Sequence, residues 1–150
     1  MQLTNILVSA LLAAGSAVAA PVPEAVSAMA AVPEWTIESL QRVCDAADDA
    51  CTWSFGINTH LEPEPATPCS FVARRGARPA SQSDTVGNAC GRFTVSSGWS
   101  DYFGPDNGFT TLSVVDYAAR LIVWPAYTDQ QLADGRVVSP DLSFAPATLA

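Results

Sequence analysis

The first twenty residues limit where this chain can fold. They are mostly apolar from Ile6 to Ala14, and small residues follow, with an Ala-x-Ala pattern at 17–19. An apolar stretch of this length before such a pattern is typical of a secretory signal peptide, cleaved after Ala19 or Ala20, and it is too short to span a bilayer. We therefore predict a signal peptide over residues 1–19 and a mature chain that folds outside the cell, where disulfides persist.

The residues that follow divide into two segments. Residues 20–33 are rich in Pro and Ala and show no strand or turn pattern, which predicts a flexible leader. Residues 34–150 alternate between apolar runs and turn residues and are numerous enough for one hydrophobic core. We predict a single secreted β domain over residues 34–150.

The net charge limits the classes of partner that the chain is expected to bind. The chain has a formal net charge of −8, and all seven of its basic residues are Arg. An acidic surface disfavours nucleic acid and anionic membranes as partners. We expect an extracellular monomer that neither binds nucleic acid nor inserts into a membrane.

Four cysteines, Cys44, Cys51, Cys69 and Cys90, predict two disulfides, because an even count is typical of small secreted domains. Three pairings are possible. We favour Cys44–Cys51, because two predicted strands flank a polar turn there and would bring these residues opposite each other at a hairpin mouth. Cys69–Cys90 follows by elimination. The spacings do not match a zinc site, and neither a metal nor a cofactor is expected.

Short runs of alternating apolar and polar residues predict an all-β fold. About seven short strands at regular spacing indicate a small antiparallel β-barrel or sandwich, and we prefer the barrel because a small chain must cover its strand edges. Residues 76–89 are expected to form a long polar loop, and Pro125 to end a strand over Leu121–Trp124. One short helix is possible after Thr128, which could cap it.

Few residues offer catalytic chemistry. His60 is the only histidine, so chemistry that needs two histidines is excluded, and a surface or structural role is expected for it. Four carboxylates could pair as in a glycoside hydrolase, but each lies beside a turn, where Asp usually caps or bonds the backbone: Asp101, Asp106, Asp116 and Asp129. A calcium site at 45–49 is disfavoured because the Gly and the bidentate Glu of an EF-hand loop are missing.

Residues 96–111 hold the densest group of unusual side chains, with aromatic residues among Gly, Ser and Asp on a predicted loop. Aromatic side chains on loops suit recognition of sugars or protein surfaces, although Trp99 and Phe103 could instead cover one end of the core. The candidate binding residues are Trp99, Asp101, Tyr102 and Asp106.

Several motifs resemble a family of small secreted proteins of filamentous fungi that includes hypersensitive-response-inducing protein elicitors of plant pathogens. They cover essentially the whole mature domain: Trp35–Leu40, Cys51–Ile57, Cys90–Trp99, Gly108–Asp116 and Pro125–Asp129. The resemblance implies a β-barrel with two disulfides and the triggering of defence and cell death in plant tissue. It implies no catalytic residue.

These observations favour a secreted, non-enzymatic elicitor or effector that acts on a plant cell-surface receptor or a cell-wall component. One alternative is an extracellular carbohydrate- or cell-wall-binding module that uses Trp99 and Tyr102. Another is a small secreted hydrolase that uses paired Asp residues.

Overall fold

The computed structural model describes residues 32–61 and 63–150, which form an all-β domain. Ten strands and three single 3-10 turns account for its regular structure. The strands are β1 (Trp35–Cys44), β2 (Ala50–Asn58), β3 (Thr67–Arg74), β4 (Thr85–Cys90), β5 (Phe93–Ser100), β6 (Phe109–Asp116), β7 (Leu121–Val123), β8 (Ala126–Thr128), β9 (Leu142–Phe144) and β10 (Ala147–Thr148). The all-β fold class is confirmed, with three more strands than the seven or so expected.

The strands form two antiparallel sheets. The first has the order β3-β2-β1-β9, and the second has the order β10-β7-β6-β5-β4, with β8 also paired to β6. Every second side chain of a strand points to the same face, and the inward faces of both sheets supply one apolar cluster. Among the largest buried members are Ile37, Leu40, Ile57, Phe93, Leu112 and Tyr127. The result is a two-layer sandwich, one of the two predicted architectures, and not the preferred barrel, because the strands form two separate sheets instead of one closed sheet.

Two disulfides hold the sheets. Cys44 and Cys51 are register partners at the mouth of the β1–β2 hairpin, with Cα atoms 3.9 Å apart. Cys69 and Cys90 lie on β3 and β4, the outermost strands of the two sheets on one side, with Cα atoms 4.9 Å apart. Both predicted pairings are confirmed. The second disulfide covalently joins two edges that backbone pairing leaves open.

Two local expectations were wrong, and one was met only in part. The predicted loop over residues 76–89 contains β4. The strand that begins at Leu121 ends before Pro125, as predicted, but pairing with β6 resumes after it in the same register as β8, and the Pro125 carbonyl accepts the N–H of Leu112 at 2.7 Å. Leu112 and Pro125 are direct partners, so the N–H that proline lacks would have faced β6, and the ladder has a gap there that separates β7 from β8.

The third concerns the short helix expected after Thr128. Its capping bond forms, since Thr128 Oγ1 accepts the N–H of Gln131 at 3.1 Å. The chain nevertheless makes only a turn and the 3-10 segment Ala133–Gly135, because Asp134 and Gly135 adopt left-handed φ values of 58° and 66°. Left-handed residues end a helix, and here they return the chain towards β1.

The predicted signal peptide lies outside the described residues, as does most of the predicted leader. Within the described part of the chain, no helix has the length and apolar character needed to cross a membrane.

Candidate functional site

The loop between β5 and β6 is held in shape by its own backbone. The Gly104 N–H donates to the Asp101 carbonyl at 2.8 Å, and the Asn107 N–H donates to the Gly104 carbonyl at 3.0 Å. Gly104 has a φ of 106°, which favours glycine at the point where the chain reverses. The Asn107 side chain also donates to the Phe103 carbonyl at 3.1 Å. Residues 101–108, called here the aromatic loop, therefore form an ordered turn.

This loop displays two large aromatic side chains. Tyr102 is 82% exposed and Phe103 is 67% exposed. Their rings meet edge to face with centroids 5.1 Å apart, and Phe103 packs on Phe109 at 5.6 Å. Aromatic pairs of this geometry stabilise each other. The structure thus presents a pre-arranged apolar surface, of the kind that anchors protein interfaces.

An open cleft adjoins the aromatic loop. It has a volume of about 450 Å³ and lies between the loop and strand β8. Phe103, Asp106 and Phe109 line one side, and Ala126, Thr128 and Gln130 line the other. Because aromatic side chains and single polar groups meet there, the cleft can accept an apolar or mixed-polarity group of a partner.

Trp99 is packed at the base of the loop. Its indole N–H donates to Asp129 Oδ2 at 2.9 Å, and the Arg78 guanidinium lies 5.2 Å from its ring centroid. A Cβ atom at Gly108 would approach the indole to 2.9 Å and contact Asp129. Trp99 therefore belongs to the framework that supports the loop, in agreement with the structural role that the sequence left open for it.

Asp129 links both sheets. Its Oδ1 lies 3.2 Å from the guanidinium of Arg42 on β1, and its backbone N–H donates to the Gly108 carbonyl at 2.9 Å. The Arg42 side chain is only 8% exposed, lies over the Trp53 ring at 5.7 Å and donates to the Ser81 carbonyl at 3.1 Å. Sequence reasoning missed Arg42, since only the inward position on β1 distinguishes it from the other arginines.

The other candidate carboxylates separate into two groups. Asp116 is buried, pairs with Arg92 at 3.1 Å and accepts the N–H of Ala119 at 3.0 Å. Asp101 and Asp106 are exposed on the aromatic loop, where Asp106 also lines the cleft. The structure therefore places Asp101, Tyr102 and Asp106 together and Trp99 beneath them.

Two remaining sequence features serve local structure. The His60 ring nitrogen Nε2 lies 2.7 Å from Thr36 Oγ1. In the acidic turn, Asp45 accepts the N–H of Asp49 at 2.7 Å and Asp48 accepts the N–H of Ser81 at 2.8 Å. These carboxylates order the turn and the loop beside it.

Comparison with known proteins shows to which family the chain is related. A model of the Effector TSP1 family matches residues 36–149. The chain is also 54% identical, over 149 residues and 99% of both chains, to Effector TSP1 of Hypocrea virens (strain Gv29-8 / FGSC 10586).

The chain belongs to the Effector TSP1 family. The matched residues include both disulfides and every strand except the first residue of β1, so the family relationship extends over the sandwich and the aromatic loop. The expected relationship to a family of fungal effectors is confirmed.

Proposed function

We propose that this effector is secreted and triggers plant defence, up to hypersensitive cell death, by binding a plant cell-surface receptor through the aromatic loop. The observation that carries the proposal is the exposure of Tyr102 and Phe103 on an ordered turn. A rigid aromatic anchor loses little conformational entropy on binding, which suits a protein that acts by recognition. Two disulfides fit a protein exported to an oxidising compartment.

The same side chains favour binding over catalysis. Of the four candidate carboxylates, Asp116 and Asp129 are held in ion pairs with arginines. Each also accepts a hydrogen bond from an N–H group, of Ala119 for Asp116 and of the Trp99 indole for Asp129, which favours a structural role for both. We infer that the protein acts without a chemical reaction of its own.

Leaf infiltration tests this proposal. The purified, oxidised protein should cause necrosis or an oxidative burst, and a Tyr102→Ser/Phe103→Ser variant should lose at least about tenfold in activity, as expected for removal of an interface anchor. Tyr117→Ser is the matched control, because Tyr117 is an exposed aromatic residue in the β6–β7 turn.

The outcomes are distinct. If the double variant is as active as the unsubstituted protein, the aromatic loop is excluded as the contact surface. Equal activity of a reduced and alkylated sample would show that a linear peptide is recognised. Silence of the folded protein across several plant species would reject the elicitor role. Secretion from a fungal host, with N-terminal sequencing, tests cleavage after Ala19 or Ala20.

A further inference from the structure

The outer face of the six-stranded sheet carries no charged side chain at the positions that alternation directs away from the core. The register of β4 to β8 defines these positions. We call this surface the neutral face; its accessible members are Thr94, Ser96, Gly98, Ser100, Phe109, Thr111, Ser113, Trp124, Ala126 and Thr128, while Val115 and Ile122 at one end are buried. The absence of charge stands out in a chain with a formal net charge of −8.

The other sheet differs. Its outward positions include Glu38 on β1 and Arg74 on β3. Asp101 and Asp106, at the end of the neutral face, would repel an anionic polymer. The carboxylate of Asp84 lies beside the face, 4.0 Å from the position of a Cβ at Gly98, but it pairs with Arg78 at 3.8 Å, so a cationic partner would find no unpaired carboxylate there. The charge pattern therefore favours an uncharged ligand.

The neutral face combines hydroxyl groups with an exposed aromatic ring. Ser96, Thr111 and Ser113 are partly exposed at its centre. Because β7 and β8 continue one register along β6, Trp124 falls opposite Ser113, and it is 54% exposed. An indole face can stack on the C–H face of a sugar ring while neighbouring hydroxyls bond the sugar hydroxyls.

The cleft beside the aromatic loop opens onto the same surface. Phe109, Ala126 and Thr128 belong both to its lining and to the neutral face. A ligand that lies along β8 from Trp124 therefore reaches the cleft without crossing a charged side chain of the face. This continuity suits an extended chain more than a single small molecule.

We propose that the neutral face binds an uncharged, extended β-linked glucan, the cellulose of the plant cell wall, with Trp124 as the stacking surface. A β-linked glucan forms an extended ribbon that can lie along the strands. The face offers hydroxyls but no Asn or Gln side chain, which favours a glucan over an N-acetylated polymer. Binding here does not require the receptor contact proposed above, so the two proposals can fail separately.

The site differs from the one that the sequence suggested for carbohydrate. Sequence reasoning placed a sugar at Trp99 and Tyr102, but the Trp99 ring is covered by Arg78 and packed on Gly108. For Trp124, which with Tyr127 flanks Pro125, the sequence indicated only that it could border the same end as Trp99 and Tyr102. Only the register across Pro125 places it on the face.

Depletion binding to microcrystalline cellulose tests the proposal with the intact, disulfide-bonded protein. Trp124→Ala should weaken binding about tenfold, as expected for loss of one aromatic anchor that becomes buried in the complex. Ser113→Glu should weaken it to a similar degree by placing a charge on the face. Ser54→Glu is its matched control, because Ser54 lies on the outward face of β2, a central strand of the other sheet.

Several results would overturn the proposal. They are unchanged binding of Trp124→Ala, equal loss in Ser54→Glu, binding to chitin or polygalacturonate but not to cellulose, and no binding at all. A dimer in sedimentation that Ser113→Glu dissociates would show that a second copy covers the face. Infiltration of Trp124→Ala separates the two proposals, since full elicitor activity without cellulose binding is the expected result.

Discussion

The indole N–H of Trp99 donates to Asp129 Oδ2 at 2.9 Å, which ties the end of β5 to the turn after β8. The other oxygen of Asp129 faces Arg42 on the opposite sheet at 3.2 Å. One carboxylate thereby fixes both sheets beneath the aromatic loop. The display of Tyr102 and Phe103 thus depends on Trp99 and Asp129, which lie beneath the loop.

Asp129→Asn should destabilise the protein by about 2 kcal/mol, measured as the free energy of unfolding in urea. Removing one partner of a buried ion pair costs roughly 3–5 kcal/mol, and the figure is reduced here because Asp129 is 35% exposed and solvent screens the pair. Asp134→Asn is the control, since Asp134 is well exposed and lies 3.8 Å from Arg136. Equal, small losses in both variants would contradict the assigned role of Asp129.

Gly108→Ala should lower the free energy of unfolding by about 1–3 kcal/mol, the usual range for overpacking. A Cβ there would lie 2.9 Å from the Trp99 ring and against the Asp129 carboxylate, and neither group can move without losing their hydrogen bond. Gly76→Ala is matched to it, because a Cβ at Gly76 meets nothing within 4 Å. Thermal unfolding of the two variants measures the difference, and equal midpoints would show that the Trp99 region yields easily.

Local patterns in the sequence predicted the long strands and both disulfides. Alternation identifies β1, β2, β5 and β6 because each has one buried face. The short strands β4, β8 and β10 escaped prediction, since Gly87 and Asn88 resemble a loop and two or three residues carry no period. Their pairing is decided by tertiary contacts with longer strands.

The candidate site was predicted only in part. A cluster of Tyr, Phe, Gly and Asp identified the aromatic loop, and Tyr102 is exposed as a binding residue should be. The packing of Trp99 could not be assigned from the sequence, because it depends on Arg78 and Asp129, which are distant in sequence. The place of Trp124 depends on the register across Pro125, which the sequence does not show.

Replacing Cys69 and Cys90 by serine should destabilise the fold more than replacing Cys44 and Cys51. The sequence separations are 21 and 7 residues, and the chain-entropy relation gives about 3.4 kcal/mol for the longer loop and about 2.5 kcal/mol for the shorter one. The longer loop also joins two sheet edges that share no ladder.

Urea unfolding of the two double variants measures this order directly. The oxidised protein is the reference for both. A larger loss in the Cys44→Ser/Cys51→Ser variant would show that the hairpin mouth, and not the closure of the sandwich edge, limits stability.

Tyr127→Phe should make the protein more resistant to alkali. Tyr127 is buried, and its hydroxyl has no hydrogen-bond partner among the described residues. Burial, with a smaller contribution from the charge of Asp141, raises the pKa of Tyr127 well above its ordinary value. The unfolded chain therefore releases this proton at a lower pH than the folded chain does.

This difference fixes how the free energy of unfolding changes with pH. Below pH about 10 both the folded and the unfolded state hold the Tyr127 proton, and the raised pKa does not affect stability. Above that pH the unfolded state is favoured by deprotonation, so the stability falls as pH rises. Tyr127→Phe removes this fall, and near neutral pH it should be neutral or slightly stabilising because it removes an unsatisfied buried hydroxyl. Unfolding free energies measured at pH 7, 10 and 11 check both parts. A parallel decline in the variant would show that Tyr127 is not the source of the alkaline loss.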